Sequence, residues 1–529
     1  MRVSLVANSV QRRSREHLQK RLSFLVVALL AAGSRLAFWH YANWTIEDGM
    51  IVGRVVRNFA THGILSFNTG ERVSSVTSPV FALLTGLVAS AGVDPLIAAK
   101  LLGVAASVIT CVLFFSVLRS MLGSYVALAA SAVFTLLPPT IAYAICGLET
   151  ALYTLVCCLA LERLWRRRYR QAFIVAAFST LVRPDGALVF LVVGLVALWH
   201  HRSHPLGILE AALPGILLIA VGLGLHRFYY GTLFPVTVTA KALAYGIDPV
   251  SNAEKYLHRM FLAQPGGIPI YGLAIAGIAY AAQRQRSLLV FAAWYAVYHL
   301  VFMLRAPLFD WYLQPPLPVL GLFSGLGLVE LVHLLTGLLR RPRLLPVAQV
   351  AAGSIAIAAL SISLVPYAKG RIALQRYEEN VRGAAGRWIA ANTSLRDTVF
   401  TEALGFIGFY NANPFIDWPG LVSPRAVGII STAAHKDRLS GYRAVIDRLH
   451  PTCLVLREEE WQDLAGFLSS GYTIRATFPS RGGAGPGYVI ATATAGALVR
   501  ADEVQIRRRA VLSKRSRRVP SLGRLRRVA

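Results

Sequence analysis

IEDGMIVGRVVRNFATHGILSFNTGERVSSVTSP, residues Ile46–Pro79, is a long polar interruption between two apolar segments. It opens on an acidic pair, Glu47-Asp48. Arg54 and Arg57 follow, then Asn58, His62 and a loop of Gly, Asn, Thr and Ser that carries Thr77. Carboxylates beside arginines at a membrane surface suit a reaction on a phosphate-bearing lipid. The carboxylates can move a proton, and the guanidinium fork matches phosphate oxygens. The plainer alternative is a solvated loop.

The rest of the chain supplies the membrane. Of 529 residues, 55% are hydrophobic and 15% charged, with a mean hydropathy of +0.54. That composition describes a polytopic membrane protein and excludes an ordinary soluble enzyme. The net charge of +28 comes from 54 Lys and Arg against 26 Asp and Glu. These basic residues sit in short clusters between apolar segments and at the two ends. They read as orientation signals and lipid-headgroup contacts, and no motif supports nucleic-acid binding. The five cysteines include no CxxC and no Cys/His pair at zinc spacing.

A spanning helix needs about 20 apolar residues. Roughly eleven candidates follow: Leu22–His40, Ile97–Leu118, Val126–Ile145, Ala151–Leu164, Ala172–Val182, Ala187–His200, Leu206–Leu225, Ile268–Ala282, Leu288–Leu304, Leu317–Leu339 and Leu345–Tyr367. The N-terminal run has basic residues before it and no small-residue cleavage site after it, so it reads as an uncleaved first helix. Val80–Val93 is short and Gly-interrupted, and reads as a surface helix. With that segment not crossing and the N-terminus cytoplasmic, Arg119, the cluster Arg163–Arg170, Arg202, Arg284, Arg286 and Arg340–Arg343 all fall inside. This satisfies the positive-inside rule; the opposite register moves the strongest cluster outside. The external loop 41–96 and the part after Tyr367 then share the extracytoplasmic face.

Three regions follow: a transmembrane domain 1–367, an external α/β domain 368–494 and a basic, disordered tail 495–529. In the second, helices are expected at Glu378–Asn392, Ala434–Leu449 and Glu458–Leu468. Strands are expected at Thr398–Glu402, Phe415–Asp417, Thr452–Leu456, Tyr472–Phe478 and Tyr488–Thr492, with a flexible Ser480–Gly487 loop.

The run of an acidic pair, R-x-x-R-N, H-G-I-L-x-F-N-x-G-E-R-V and S-x-V-T-S-P within Ile46–Pro79 resembles the first external loop of GT-C-type membrane glycosyltransferases. It is most similar to the branch that includes actinobacterial arabinofuranosyltransferases of cell-wall arabinan synthesis. Gly147-Leu148-Glu149-Thr150 and Arg183-Pro184-Asp185-Gly186 match two further turns of that branch. Gly405-Phe-Ile-Gly408-Phe-Tyr410 with Ile416-Asp417-x-x-Gly420-Leu421 matches its C-terminal signature. The chain departs from it at Glu47 in place of Asp, at Val52–Val56 where tyrosines are usual, at Asn68-Thr69-Gly70 and at Ser75-Val76-Thr77. These departures bear on the identity of the sugar.

The resemblance implies a GT-C-like fold, a polyprenyl-phosphate sugar donor and an envelope glycan, lipid or protein hydroxyl as acceptor. It also implies a bacterial inner-membrane location. Asp48 is the first candidate general base, with Glu47 as its partner or as a metal ligand; Mg²⁺ or Mn²⁺ would suit two such oxygen donors, although nothing requires one. Arg54 and Arg57, one helical turn apart, are candidates for the departing phosphate or are headgroup anchors. Arg183 and Arg305, at external helix ends, stand second. Asn58, His62, Thr77, Glu149, Asp185, Asp310 and Tyr312 are candidate substrate-binding residues. For Glu149 the alternative is a helix N-terminal carboxylate, and for Asp310-Trp311-Tyr312 an interfacial aromatic anchor. His200–His204 looks metal-like but falls on the cytoplasmic side. Two other functions fit the same features: a flippase for lipid-linked sugar, and a non-catalytic scaffold of the same fold.

Overall fold

The computed structural model describes residues 2–202, 205–245, 248–262, 267–338, 343, 345–432, 437–480 and 485–495. The expected tail 495–529 lies almost wholly outside the described residues, as do parts of the His200–His204 run and of the Ser480–Gly487 loop.

The chain begins with a long helix, α1 (Arg2–Ala42), then α2 (Glu47–His62), which ends on Gly63 in the left-handed region at φ 67°. Glycine reaches that conformation without a Cβ penalty, which stops the helix and turns the chain into the 63–78 loop. Next come α3 (Pro79–Ala89) and α4 (Pro95–Arg119). Asp94 caps α4 by accepting from the amides of Leu96 and Ile97 at 2.9 and 3.0 Å. At 1.5 Å per residue α3 is about 16 Å long, well short of a bilayer.

The expected span Val126–Ile145 is not one helix. The structure breaks it into α5 (Ser124–Thr135) and the short α6 (Pro138–Ala142), followed by an irregular turn to Glu149. Pro138 and Pro139 are the cause: they lack the N–H groups that would pair with the carbonyls of Phe134 and Thr135. Substitutes are recruited. Arg35 of α1, fully buried, donates from Nη1 to Thr135 O at 2.7 Å, and Thr140 Oγ1 donates to Phe134 O at 3.3 Å. An intramembrane arginine is thus spent on repairing a proline break, and its Nε meets Ser107 Oγ at 3.1 Å.

Helices α7 (Thr150–Trp165), α8 (Tyr169–Val182) and α9 (Ala187–His200) follow, with the Pro184–Gly186 turn between the last two. Then come α10 (Pro205–Tyr230), α11 (Val236–Tyr245), α12 (Pro249–Phe261), α13 (Gly267–Arg284), α14 (Leu289–Arg305), α15 (Leu317–Leu338) and α16 (Leu345–Tyr377). Among the described residues six segments are long and apolar enough to cross a bilayer: Leu18–Ala42, Pro95–Arg119, Pro205–Tyr230, Arg286–Arg305, Leu317–Leu338 and Val347–Asn392. The other expected spans are shorter; α8 and α9 have 14 residues each, about 21 Å. The molecule is a polytopic α-helical membrane protein carrying a small α/β unit.

No backbone break separates the two parts. α16 passes Tyr367 as helix and continues through a π-turn at Glu378–Gly383 into α17 (Ala384–Asn392). The C-terminal part then builds β1 (Val399–Thr401), α18 (Leu404–Phe409), β2 (Phe415–Asp417), α19 (Pro424–Ser431), α20 (Arg438–Leu449), β3 (Cys453–Arg457), α21 (Glu458–Leu468), β4 (Tyr472–Phe478) and β5 (Tyr488–Ala493). The strand order is β2-β1-β3-β5-β4. β1 is parallel to both β2 and β3, and β5 is antiparallel to both β3 and β4. All five strands lie within a residue at each end of the expected ones. β1, β3 and the inner part of β5 are buried, as expected for a central sheet packed between helices.

Candidate active site

Helix α2 lies where the helical membrane part meets the C-terminal unit, and its first two residues point different ways. Asp48 faces a small pocket lined by Ile51, Val52, Ser75, Val76, Thr77, Leu148, Glu149, Arg183, Thr237, Lys241, Trp311, Tyr312 and Leu421. The acidic pair, the Ser74–Pro79 end of the loop, the Gly147–Thr150 and Arg183–Gly186 turns and the Ile416–Leu421 turn each contribute to it. Gly147 permits the approach: it sits at φ +86°, and the carbonyl of the preceding Cys146 accepts from Ile46 N at 3.0 Å.

Asp48 Oδ2 is 3.3 Å from Lys241 Nζ. Lys241 was missed by sequence reading. It stands in the long 226–267 connection, on α11, and its only sequence signal was a lone cation in the run VTVTAKALAY. Its Nζ lies 5.1 Å from the centre of the Phe309 ring and 5.9 Å from that of Trp311. Burial alone would lower its pKa, but the Asp48 carboxylate together with the nearby Tyr312 and Tyr245 hydroxyls raises it on balance above the ordinary lysine value.

Arg183 is the second cation of the pocket. It is buried between Tyr153 and Tyr312, with ring centres 4.7 and 5.0 Å away. Its Nε donates to Asp185 Oδ1 at 2.9 Å. Its Nη1 lies 3.7 Å from Glu149 Oε1 and makes no hydrogen bond. Burial pushes the Glu149 carboxyl up in pKa against the pull of Arg183, while Asp185 and Glu149 hold the guanidinium charged despite its burial. Thr77 joins the pocket too, its Oγ1 3.4 Å from Thr237 Oγ1. The space among these groups is about 30 Å³, room for about one water.

Several expected site residues lie elsewhere. Glu47 turns to the C-terminal unit: its carboxylate accepts from Gly405 N at 2.7 Å and Phe406 N at 3.4 Å, and Arg382 Nη1 is 3.3 Å away. Glu47 and Asp48 therefore do not converge, and this pair does not fit a shared divalent ion. Among the described residues no group of three His, Cys, Asp or Glu is gathered as a metal site.

Arg54 and Arg57, expected at the phosphate, do not line the pocket. Arg54 is buried and donates to four carbonyls: Phe67 at 3.0 Å, Gly408 at 2.7 Å, Asn411 at 3.2 Å and Asn413 at 2.7 Å. Burial pushes its pKa down, to about 9, with Arg57 adding to the effect. Arg57 packs over Phe409 at 4.9 Å. Asn58 donates to the carbonyls of Ser66 and Phe67 at 3.0 and 2.8 Å, which shapes the loop. His62 is exposed at the end of α2, Arg305 is exposed at the end of α14, and Asp310 lies 3.1 Å from Arg259 Nε. Asp417 supports its own turn, accepting from the amides of Gly420, Leu421 and Val422 at 3.1, 2.6 and 2.9 Å. That turn carries Leu421 to the pocket.

An apolar groove of about 490 Å³ lies between α5, α13, α15 and α16, and its lining includes Leu313, Pro316, Tyr295 and His299.

Comparison with known structures fixes the architecture. ArnT from Cupriavidus metallidurans bound to undecaprenyl phosphate superposes with a TM-score of 0.51 at 14% identity, over 90% of this chain and 98% of that one. The apo state of the same protein gives 0.52 at 15%, over 91% and 99%. The Archaeoglobus fulgidus oligosaccharyltransferase in its apo form gives 0.50 at 13%, over 82% of this chain and 69% of that one. The fold is GT-C-like. Residues 370–498 match a family described as a domain of unknown function, DUF8728. No curated protein sequence matches.

Proposed function

We propose that this protein moves a sugar from a polyprenyl-phosphate carrier to a hydroxyl acceptor on the extracytoplasmic side of a bacterial inner membrane. The observation that carries this reading is the meeting, in one pocket, of Asp48 with Lys241 and of Glu149 with Arg183, which Asp185 pairs from outside the lining. A carboxylate able to take a proton stands beside two cations able to hold a phosphate. The groove supports it: about 490 Å³ of apolar-lined space, with Leu313 in its wall next in sequence to Tyr312 of the pocket, suits an isoprenoid chain. The undecaprenyl phosphate bound by the similarly folded ArnT supports the same donor class.

The Asp48–Lys241 contact closes the resting pocket. A donor phosphate that draws Lys241 to itself releases Asp48. The acceptor hydroxyl then attacks the anomeric carbon, Asp48 takes its proton, and the bond from that carbon to the phosphate oxygen breaks. Lys241 and Arg183 hold the departing polyprenyl phosphate, and Glu149 and Asp185 keep Arg183 in place. The reading routes no step through a divalent ion on Glu47 and Asp48, and activity is expected to survive chelation. The loop and turn motifs make a pentofuranose the first donor sugar to try. The N-terminus is read as cytoplasmic, and residues 368–494 as an extracytoplasmic domain.

The test is sugar release from a panel of radiolabelled polyprenyl-phosphate sugars by the purified protein in membranes, beside Asp48→Asn and Lys241→Met. Turnover of one donor that collapses in both variants supports the reading. Sugar that changes side while still on its carrier points to a flippase, and donor binding without turnover points to a scaffold.

A further inference from the structure

Where α1 ends, the chain turns through a corner at residues 43–46 that gathers cations without acids. Arg371 of α16 lies over the Trp44 ring at 4.5 Å, with the rings of Tyr367 and Tyr143 at 4.9 and 5.8 Å. It is half-buried, and its Nη2 donates to the Tyr367 hydroxyl at 3.0 Å. Lys100 of α4 meets the same corner: its buried Nζ donates to Asn43 Oδ1 and O at 2.9 and 3.4 Å. Among the described residues no carboxylate oxygen lies within 4 Å of either cation. The acids that follow on the same helical run are taken, Glu378 by Arg382 at 3.0 Å and Glu379 by Arg387 at 3.3 Å. Asp310, whose charge reaches Arg371, is 3.1 Å from Arg259 Nε. Two further donors of this corner, Trp44 Nε1 and the Tyr143 hydroxyl, are buried and make no hydrogen bond.

We infer that this corner binds a phosphate, presented by the headgroup of an anionic membrane phospholipid. Aromatic rings attract a guanidinium but take no directed hydrogen bond in the manner of an oxygen, so Arg371 Nε and Nη1 are left for a ligand. Their fork matches two phosphate oxygens, and the positive charge of Lys100 behind the corner adds to the attraction. The level in the membrane favours a lipid over a free anion. Trp39, Trp44 and Tyr367 ring the ends of two spanning segments, where amphipathic aromatics sit beside headgroups. A phosphate held here would also pin two elements together. Thr45 N donates to Gln375 Oε1 at 2.9 Å, one turn past Arg371, and α2 with Asp48 begins two residues after Thr45. The site is independent of the transferase reading, which assigns the donor phosphate to Lys241 and Arg183.

The experiment is native mass spectrometry of the full-length protein in detergent, titrated with phosphatidylglycerol. Diacylglycerol of the same chains, glycerol phosphate and inorganic phosphate are titrated beside it. Phosphatidylglycerol is expected to be retained and diacylglycerol is not. Arg371→Gln weakens the tightest phosphatidylglycerol binding by about 3–10-fold, as loss of one headgroup cation implies. Arg376→Gln, which removes an exposed cation from the same helix, leaves it unchanged. Equal melting temperatures of the native and Arg371→Gln proteins without lipid show that the fold is kept. Arg371→Lys, which keeps the charge and loses the fork, falls between the two and serves if the Gln variant misfolds. Equal phosphatidylglycerol binding by the native and Arg371→Gln proteins, or equal retention of diacylglycerol, overturns the inference. Tight binding of glycerol phosphate or inorganic phosphate that Arg371→Gln abolishes keeps the phosphate site and overturns its lipid source. Polyprenyl phosphate binding that falls in Arg371→Gln as far as in Lys241→Met gives the phosphate to the donor and overturns the separate site. Loss of phosphatidylglycerol alone, with polyprenyl phosphate still bound, supports it whether or not any sugar is transferred.

Discussion

Two faces of one helix make the most instructive comparison in this molecule. Glu47, Arg54 and Asn58 on α2 look toward the C-terminal unit and the loop, and each is saturated by backbone amides or carbonyls. Asp48, Ile51 and Val52 look toward the pocket, where, among the described residues, Asp48 pairs with the single ammonium of Lys241. Both faces hold a carboxylate, and a cation is close to each, Arg382 to Glu47 and Lys241 to Asp48. A charge held by several fixed dipoles is structural, because moving it breaks them all. A charge held by one flexible partner can be handed to a substrate. The amount of polar satisfaction thus separates the joint from the site better than residue type does.

The largest expected effect breaks the pocket face. Asp48→Asn should lower transfer by about 10²–10⁴-fold while leaving the melting temperature within a degree or two; measured kcat on the best donor and a thermal unfolding curve check both halves. Lys241→Met comes next, with a loss of about 10²–10³-fold if it holds developing phosphate charge. Lys241→Arg should restore part of that rate, which loss of fold would not allow.

The joint face should respond in the opposite sense. Arg54→Met strands four buried carbonyls and should cost several kcal/mol, roughly 1–3 for each group left unpaired. Lower yield and earlier proteolysis at the 392–399 junction are the readouts. Glu47→Gln keeps one acceptor oxygen, for Gly405 N, but loses the second and the charge facing Arg382, so a milder cost of about 1–3 kcal/mol is expected, with transfer reduced less than 10-fold. A loss equal to that of Asp48→Asn would break the comparison.

The smallest effect concerns pH. Burial pushes the Asp417 carboxyl up to about 6, against three backbone amides that favour its charged form. The folded value lies above the unfolded one, so protons bind the folded form more tightly. The stability this contributes is complete below about pH 4 and is lost as pH rises through about 6. The advantage of the native chain over Asp417→Asn in melting temperature should therefore shrink over that window. Transfer rates should not follow the same curve, since Asp417 supports a turn and does not line the pocket.

Much of this architecture was legible. The short apolar, β-branched and aromatic runs located all five strands, and Glu458–Leu468 was read to the residue. The break in Val126–Ile145 was written in Pro138-Pro139, but apolar length overrode it. Lys241 was not legible, because a single lysine in a connection carries no period and no neighbour in sequence. Arg54 and Arg57 were correctly set one turn apart, yet nothing local said that a domain some 350 residues downstream would accept three of the four hydrogen bonds of Arg54.

By itself the sequence determined the solvent each segment prefers, the helix stops at Gly63 and Pro138, and the strands of the sheet. These depend on hydropathy, proline's missing donor and backbone sterics, all of which act within a few residues. Only the tertiary structure decided which of two adjacent carboxylates reaches the pocket and which cation it meets. Successive residues on a helix point about 100° apart, and their partners lie hundreds of residues away.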